Sequence, residues 1–106
     1  MVVVMVMVNL PANMTREQFV AHSWITAEHW KENQFLLQKT YLYDPPTRQG
    51  GALFVWHDRA AAERAHNDTW RQQMVQFYGS EPTVRYFEAP LAVFCRTEPG
   101  VIGETA

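Results

Sequence analysis

The chain has a single cysteine in 106 residues, Cys95, so no disulfide can close within it and no thiolate-built metal site can form. That usage suits a reducing compartment, and a cytoplasmic location is expected. Five glycines are present, yet none falls into GxGxxG or a P-loop, which removes the usual nucleotide cradles. Nine basic residues are scattered singly against eleven acidic ones, for a net charge of −2. Without a basic stripe to hold phosphates, nucleic acid is not an expected partner. No apolar run approaches the ~20 residues of a membrane span, and MVVVMVMV at the start lacks the basic flank and cleavage site of a leader. A membrane is therefore not expected as a partner either.

What remains is 47% hydrophobic and 13% aromatic, the composition of one globular domain. We assign residues 1–96 to that domain and 97–106 to a loose C-terminal tail. Residues 50–70, GGALFVWHDRAAAERAHNDTW, organise the rest. Gly50-Gly51 reads as the end of a loop and Ala52 to Trp56 as a short apolar strand. Asp58 can cap a helix from Arg59 to Trp70, which contains neither Gly nor Pro. Arg71 to Tyr78 continues helically or as a second short helix, with Gly79 as its C-cap.

Before this unit, residues 2–8 form an apolar strand. Thr15 and Gln18 match a capping box opening a helix to about Lys31 or Glu32. Residues 34–43, QFLLQKTYLY, suit a strand with Phe35, Leu37, Lys39, Tyr41 and Tyr43 on one face. Asp44-Pro45-Pro46 stops it. After Pro82 comes a last strand, Thr83 to Glu88, then an extended apolar run from Leu91 to Cys95. The order is βαββαβ, an α+β ferredoxin-like fold. Helices cover one sheet face only, while the first strand is apolar on both. A second copy should cover the other face and make a homodimeric α/β barrel, with Leu91 to Cys95 at or across the interface.

The 50–70 stretch, with Tyr78-Gly79, Pro82-Thr83-Val84 and Tyr86-Phe87-Glu88-Ala89-Pro90, resembles the YdhR-type monooxygenase-like family. That family lies within the dimeric α/β-barrel group that includes antibiotic-biosynthesis monooxygenases. The likeness covers roughly residues 35–94. The Asn9-Leu10-Pro11-Ala12-Asn13-Met14 turn is also similar to muconolactone isomerase of the same fold. The shared motifs are structural, so the resemblance implies the fold and an oxygen-using activity but carries over no catalytic residue.

Candidates for chemistry come from side-chain type. His22 and His66 are the expected catalytic bases, His22 first, because it lies at the edge of the helix face that meets the sheet. His57 reads as a corner residue. His29 is two turns from His22, about 10 Å along the axis, too far to share a metal with it. No HExxH is present, so no metal is expected, and without a cofactor motif no cofactor is expected. Phe19, Trp24, Tyr41, Trp56, Trp70 and Tyr86 are the expected lining of a small-molecule pocket between helices and sheet, suited to an aromatic or lactone-like ligand. Three readings follow. The first is cofactor-independent monooxygenation of an electron-rich aromatic or polyketide-like substrate. The second is isomerisation, cyclisation or decarboxylation through an enolate. The third is binding without catalysis.

Overall fold

Alternation in the first strand decides the architecture. A computed structural model describes residues 1–95 and residue 103, so the reading of 97–106 as a tail lies outside the described residues except at Gly103. In chain order the elements are β1 (Val2–Asn9), α1 (Arg16–Trp30), β2 (Leu36–Asp44), β3 (Gln49–Trp56), α2 (Arg59–Ala65), α3 (Asp68–Tyr78) and β4 (Thr83–Glu88). The strands form one antiparallel sheet in the order β2-β3-β1-β4, the ferredoxin-like α+β fold expected from the sequence.

Val2, Val4, Val6 and Val8 point to one face and are buried, as are Ala52, Phe54 and Trp56 of the neighbouring β3. Ala61 and Ala62 of α2 close over this layer, and Phe19 of α1 joins Val8 and Leu10 at the far end. Val3, Met5 and Met7 of β1, with Leu53 and Val55 of β3, point the opposite way and are only half-buried.

Local chemistry sets the element ends. Thr15 and Gln18 form the reciprocal capping box of α1, with Thr15 N–H donating to the Gln18 side chain at 2.8 Å and Gln18 N–H to Thr15 Oγ1 at 3.1 Å. Asp58 accepts from Ala61 N–H at 2.8 Å and opens α2. Gly79 ends α3 at φ 79°, the left-handed backbone that glycine adopts without a Cβ clash.

Three local expectations are corrected. Gly50-Gly51 lies inside β3, which starts at Gln49. A Cβ on Gly51 would stand 1.8 Å from the Val6 carbonyl oxygen, and one on Gly50 would stand 2.7 Å from the Phe19 ring. These glycines permit close approach within the sheet instead of ending a loop. The helix expected from Arg59 to Trp70 breaks at His66-Asn67. The Asn67 side chain accepts from Trp70 N–H at 2.9 Å and donates to the Arg64 carbonyl at 2.8 Å, so one residue closes α2 and opens α3. Finally, a register shift between Leu36 and Gln38 places Leu36 opposite Trp56. Leu36 thus packs on the core while Leu37 is exposed, the reverse of strict alternation.

Candidate functional site

The bulge leaves Lys39 and Tyr41 on the helix side of β2, opposite Phe54 and Ala52 of β3. Above them α1 brings Thr26 and Trp30, and the α2–α3 junction brings His66 with Trp70 behind it. Lys39 Nζ lies 4.6 Å from the Trp30 ring centre, 4.2 Å from Tyr41 and 4.7 Å from Phe54. Its pKa falls from 10.5 to about 7 because burial strips water from the ammonium. That displacement corresponds to about 5 kcal/mol. Cation–π contacts return roughly 2 kcal/mol to the charged form when desolvated. Loss of water wins, and a neutral amine is populated near neutral pH.

His66 is fixed by its neighbours. The Trp56 indole can only donate, and its Nε1–H reaches His66 Nε2 at 3.0 Å. The imidazole proton therefore sits on Nδ1, a buried atom with no hydrogen-bond partner among the described residues. Rings of Phe54 at 4.6 Å and Trp70 at 4.6 Å press edge-on against the imidazole. Burial first, and the Lys39 charge second, lower its pKa to about 4. In this geometry the imidazole is neutral, with Nε2 already accepting from Trp56 and Nδ1–H its remaining polar hydrogen.

The remaining polar groups border the same region. Tyr41 and Thr26 share a hydroxyl hydrogen bond of 2.5 Å, and burial raises the Tyr41 pKa against that bond. Burial, then the proximity of Tyr41, pushes Tyr78 up to about 12. The His22 ring lies 4.2 Å from that of Phe77 of α3, tilted by 47°. Its pKa is lowered by burial first and by Lys39 second. Lys39 thus acts on both predicted histidines, and perturbed groups gathered in this way mark candidate sites.

Of the residues expected from sequence, the fold brings Tyr41, Trp56, His66 and Trp70 together, with His22 at the α1–α3 margin. It does not bring in the other three. Phe19 is buried with Val8 and Leu10. Trp24 is 45% exposed, with Gly103 against its ring. Tyr86 sits on β4 with the Arg59 guanidinium 4.9 Å over its ring. Sequence reasoning passed over Lys39, Trp30, Phe54 and Tyr78. The available signal was a lone charge in the apolar stripe of β2, on the same face as two tyrosines.

The space between helices and sheet is occupied largely by the aromatic shell itself. Two surface depressions lie elsewhere, one along α3 from Arg71 to Glu81 and one between Phe35 and His57. Among the described residues no group of three or more His, Cys, Asp or Glu side chains is placed to hold a metal ion. No described helix is long and apolar enough to cross a membrane.

The fold is similar to that of a putative antibiotic biosynthesis monooxygenase from Deinococcus radiodurans, with a TM-score of 0.64 and 13% identity, covering 92% of this chain and 100% of that one. At that identity the likeness concerns the fold. No family model matches the sequence, and no curated protein matches it.

Proposed function

We propose that this chain is a small-molecule enzyme of monooxygenase type, acting on an electron-rich aromatic or polyketide-like substrate at the Lys39 cluster. The observation that carries the proposal is a lysine amine held near neutrality among Trp30, Tyr41 and Phe54. The fold of the Deinococcus protein and the YdhR-type resemblance support the same class of chemistry.

Dioxygen reacts slowly with closed-shell molecules, but a phenolate or enolate can pass it an electron. Lys39 takes the substrate proton, and the ammonium so formed stabilises the anion in a site poor in water. The His66 Nδ1–H, which has no acceptor among the described residues, is suited to a substrate oxygen. His22 at the margin is the second candidate acceptor. When a ring methylene becomes a carbonyl, one oxygen atom enters the product and the other leaves as water with the two methylene hydrogens. All four electrons come from the substrate, so no reductant is consumed.

An oxygen electrode run with a panel of polyketide-like phenols tests this reading. One mole of dioxygen should be consumed per mole of product. His22→Gln should cost less than Lys39→Met. Turnover without oxygen uptake would favour the enolate isomerase or decarboxylase reading, and saturable binding without turnover the non-catalytic one.

The protein is further proposed to be a homodimer, joined through the sheet face that no described helix covers. On that face Val3 lies beside Val55 and Phe87, and Met5 beside Leu53, an apolar strip bordered by Gln38 and Thr40 of β2 and by Arg85 of β4, whose guanidinium lies 4.8 Å over the Phe87 ring. Leu91, Val93 and Phe94, at 82, 81 and 59% exposure, extend beyond β4 as an exposed run. Sedimentation at micromolar concentration should give about twice the 12.3 kDa chain mass, and truncation before Pro90 should shift the equilibrium toward monomer. A full-length chain that stays folded and monomeric would overturn the barrel.

A further inference from the structure

We propose that Lys39 is a covalent carbonyl-binding residue, its Nζ forming an imine with an aromatic aldehyde or ketone that enters as the rings of Trp30, Tyr41 and Phe54 move apart. The inference deepens the proposed function, since it rests on the Lys39 cluster being the active site and narrows the substrate to one bearing a carbonyl.

Amine attack requires a free lone pair, which an ion-paired lysine lacks. The chain has two lysines, and they sit in opposite settings. Lys31 is exposed and pairs with Glu28 at 3.0 Å, and that hydrogen bond and charge raise its pKa. Lys39 has no carboxylate partner among the described residues, only the three rings. Burial holds it partly unprotonated near pH 7. Flat aromatic walls favour a planar aromatic carbonyl over an aliphatic one.

The other requirement is a donor for the carbonyl oxygen. His66 supplies a buried Nδ1–H without an acceptor among the described residues, and its ring lies 4.6 Å from the same Phe54 ring that borders Lys39 Nζ at 4.7 Å. The step balances without an oxidant or reductant. The nitrogen lone pair forms the C–N bond, the carbonyl oxygen takes both amine protons, and it leaves as one water, giving R–CH=N–Lys39 from an aldehyde. With Nζ bound as the imine, the proton removal assigned above to Lys39 passes to His22, the second candidate acceptor, and the electron-withdrawing imine acidifies a phenol conjugated with it.

The test uses the full-length protein with 2-hydroxy-1-naphthaldehyde at pH 7.5, then borohydride to fix any imine as a secondary amine. Peptide mass mapping reads the label at Lys39, Lys31 and the Met1 α-amine. The expected result is labelling of Lys39 at least tenfold above either of the others, lost in Lys39→Arg and in wild-type protein unfolded by guanidinium. Equal labelling of the three amines, preference for Met1, or no adduct would overturn the inference. Comparison of the three amines needs no variant, so a misfolding substitution cannot obscure the result. Oxygen measurements separate the two claims. Selective labelling without oxygen uptake by any substrate keeps the imine and sinks the monooxygenase, whereas oxygen uptake by a chain that forms no adduct does the reverse.

Discussion

Gly51→Ala will cost at least about 3 kcal/mol and leave the chain largely unfolded under conditions where wild type is native, because the new methyl has nowhere to go. Its Cβ would stand 1.8 Å from the Val6 carbonyl oxygen and 2.9 Å from Met7 Cα. Those atoms are backbone of the central strand, so relief requires pulling β1 from β3 and breaking the ladder that joins them. Gly50→Ala provides the contrast. There the nearest atoms are Phe19 ring carbons at 2.7 and 2.9 Å and a Leu10 methyl at 3.0 Å, side-chain groups that can turn aside. That variant should fold, with a cost of about 1–3 kcal/mol. Urea unfolding followed by circular dichroism distinguishes them, and equal midpoints for the two variants would refute the argument from backbone contact.

Lys39→Met should produce the largest functional loss, roughly 10²–10⁴-fold in turnover of any substrate found. It should also stabilise the protein at neutral pH. The folded state holds Lys39 at about 7 against 10.5 for a free lysine, so between those values the unfolded chain binds more protons and stability rises with pH. The gain is complete only above the unfolded value and is at most about 5 kcal/mol. Groups around Lys39 shape the rest of the profile. His66, at about 4 against 6.5, makes stability rise across that lower window too, and the lowered His22 acts in the same direction. Tyr78 at about 12 against 10 works oppositely, since the unfolded tyrosine ionises first and stability falls between those values. The raised pKa of Tyr41 adds to that fall. Wild type should therefore be most stable near pH 10. Lys39→Met should lose the rise between 7 and 10.5 while keeping the lower one. Parallel profiles for the two proteins would show that Lys39 is not desolvated in solution.

Features governed by neighbours in the chain were legible from sequence. The Thr15–Gln18 box, the Asp58 cap and the Gly79 terminus each need only a few adjacent residues, and all three are present. The element order follows from apolar periodicity in the same way. Features set by distant partners were not. Nothing near Gly51 reveals that Val6 will lie against it, and the shift at Leu37 exists only relative to Trp56. The helix break at His66 was hidden because an Ala-rich run and an Asn cap compete at similar energy, and packing of the imidazole on Trp56 and Trp70 favours the break. The candidate site was partly visible. Tyr41, Trp56, His66 and Trp70 were picked for their chemistry. Lys39 was passed over because a lysine on an edge strand ordinarily extends to water, and only the position of α1 over β2 keeps it from doing so.

The central place of β1 has a consequence for how the chain acquires its fold. The first strand made is the last to be satisfied, since Val2 pairs with Trp56 on one side and with Glu88 on the other. At ~5–20 residues per second, the ribosome takes on the order of 4–17 seconds to deliver that last partner. Throughout that interval a β-branched, uncharged segment with no proline before Pro11 remains without its second neighbour, the pattern that seeds intermolecular strand pairing. Folding yield should thus depend on chaperone capacity and synthesis rate more steeply than equilibrium stability suggests. A polar substitution on the half-buried face of β1, at Met5 or Met7, should raise recovery from cells even where it slightly weakens the native state.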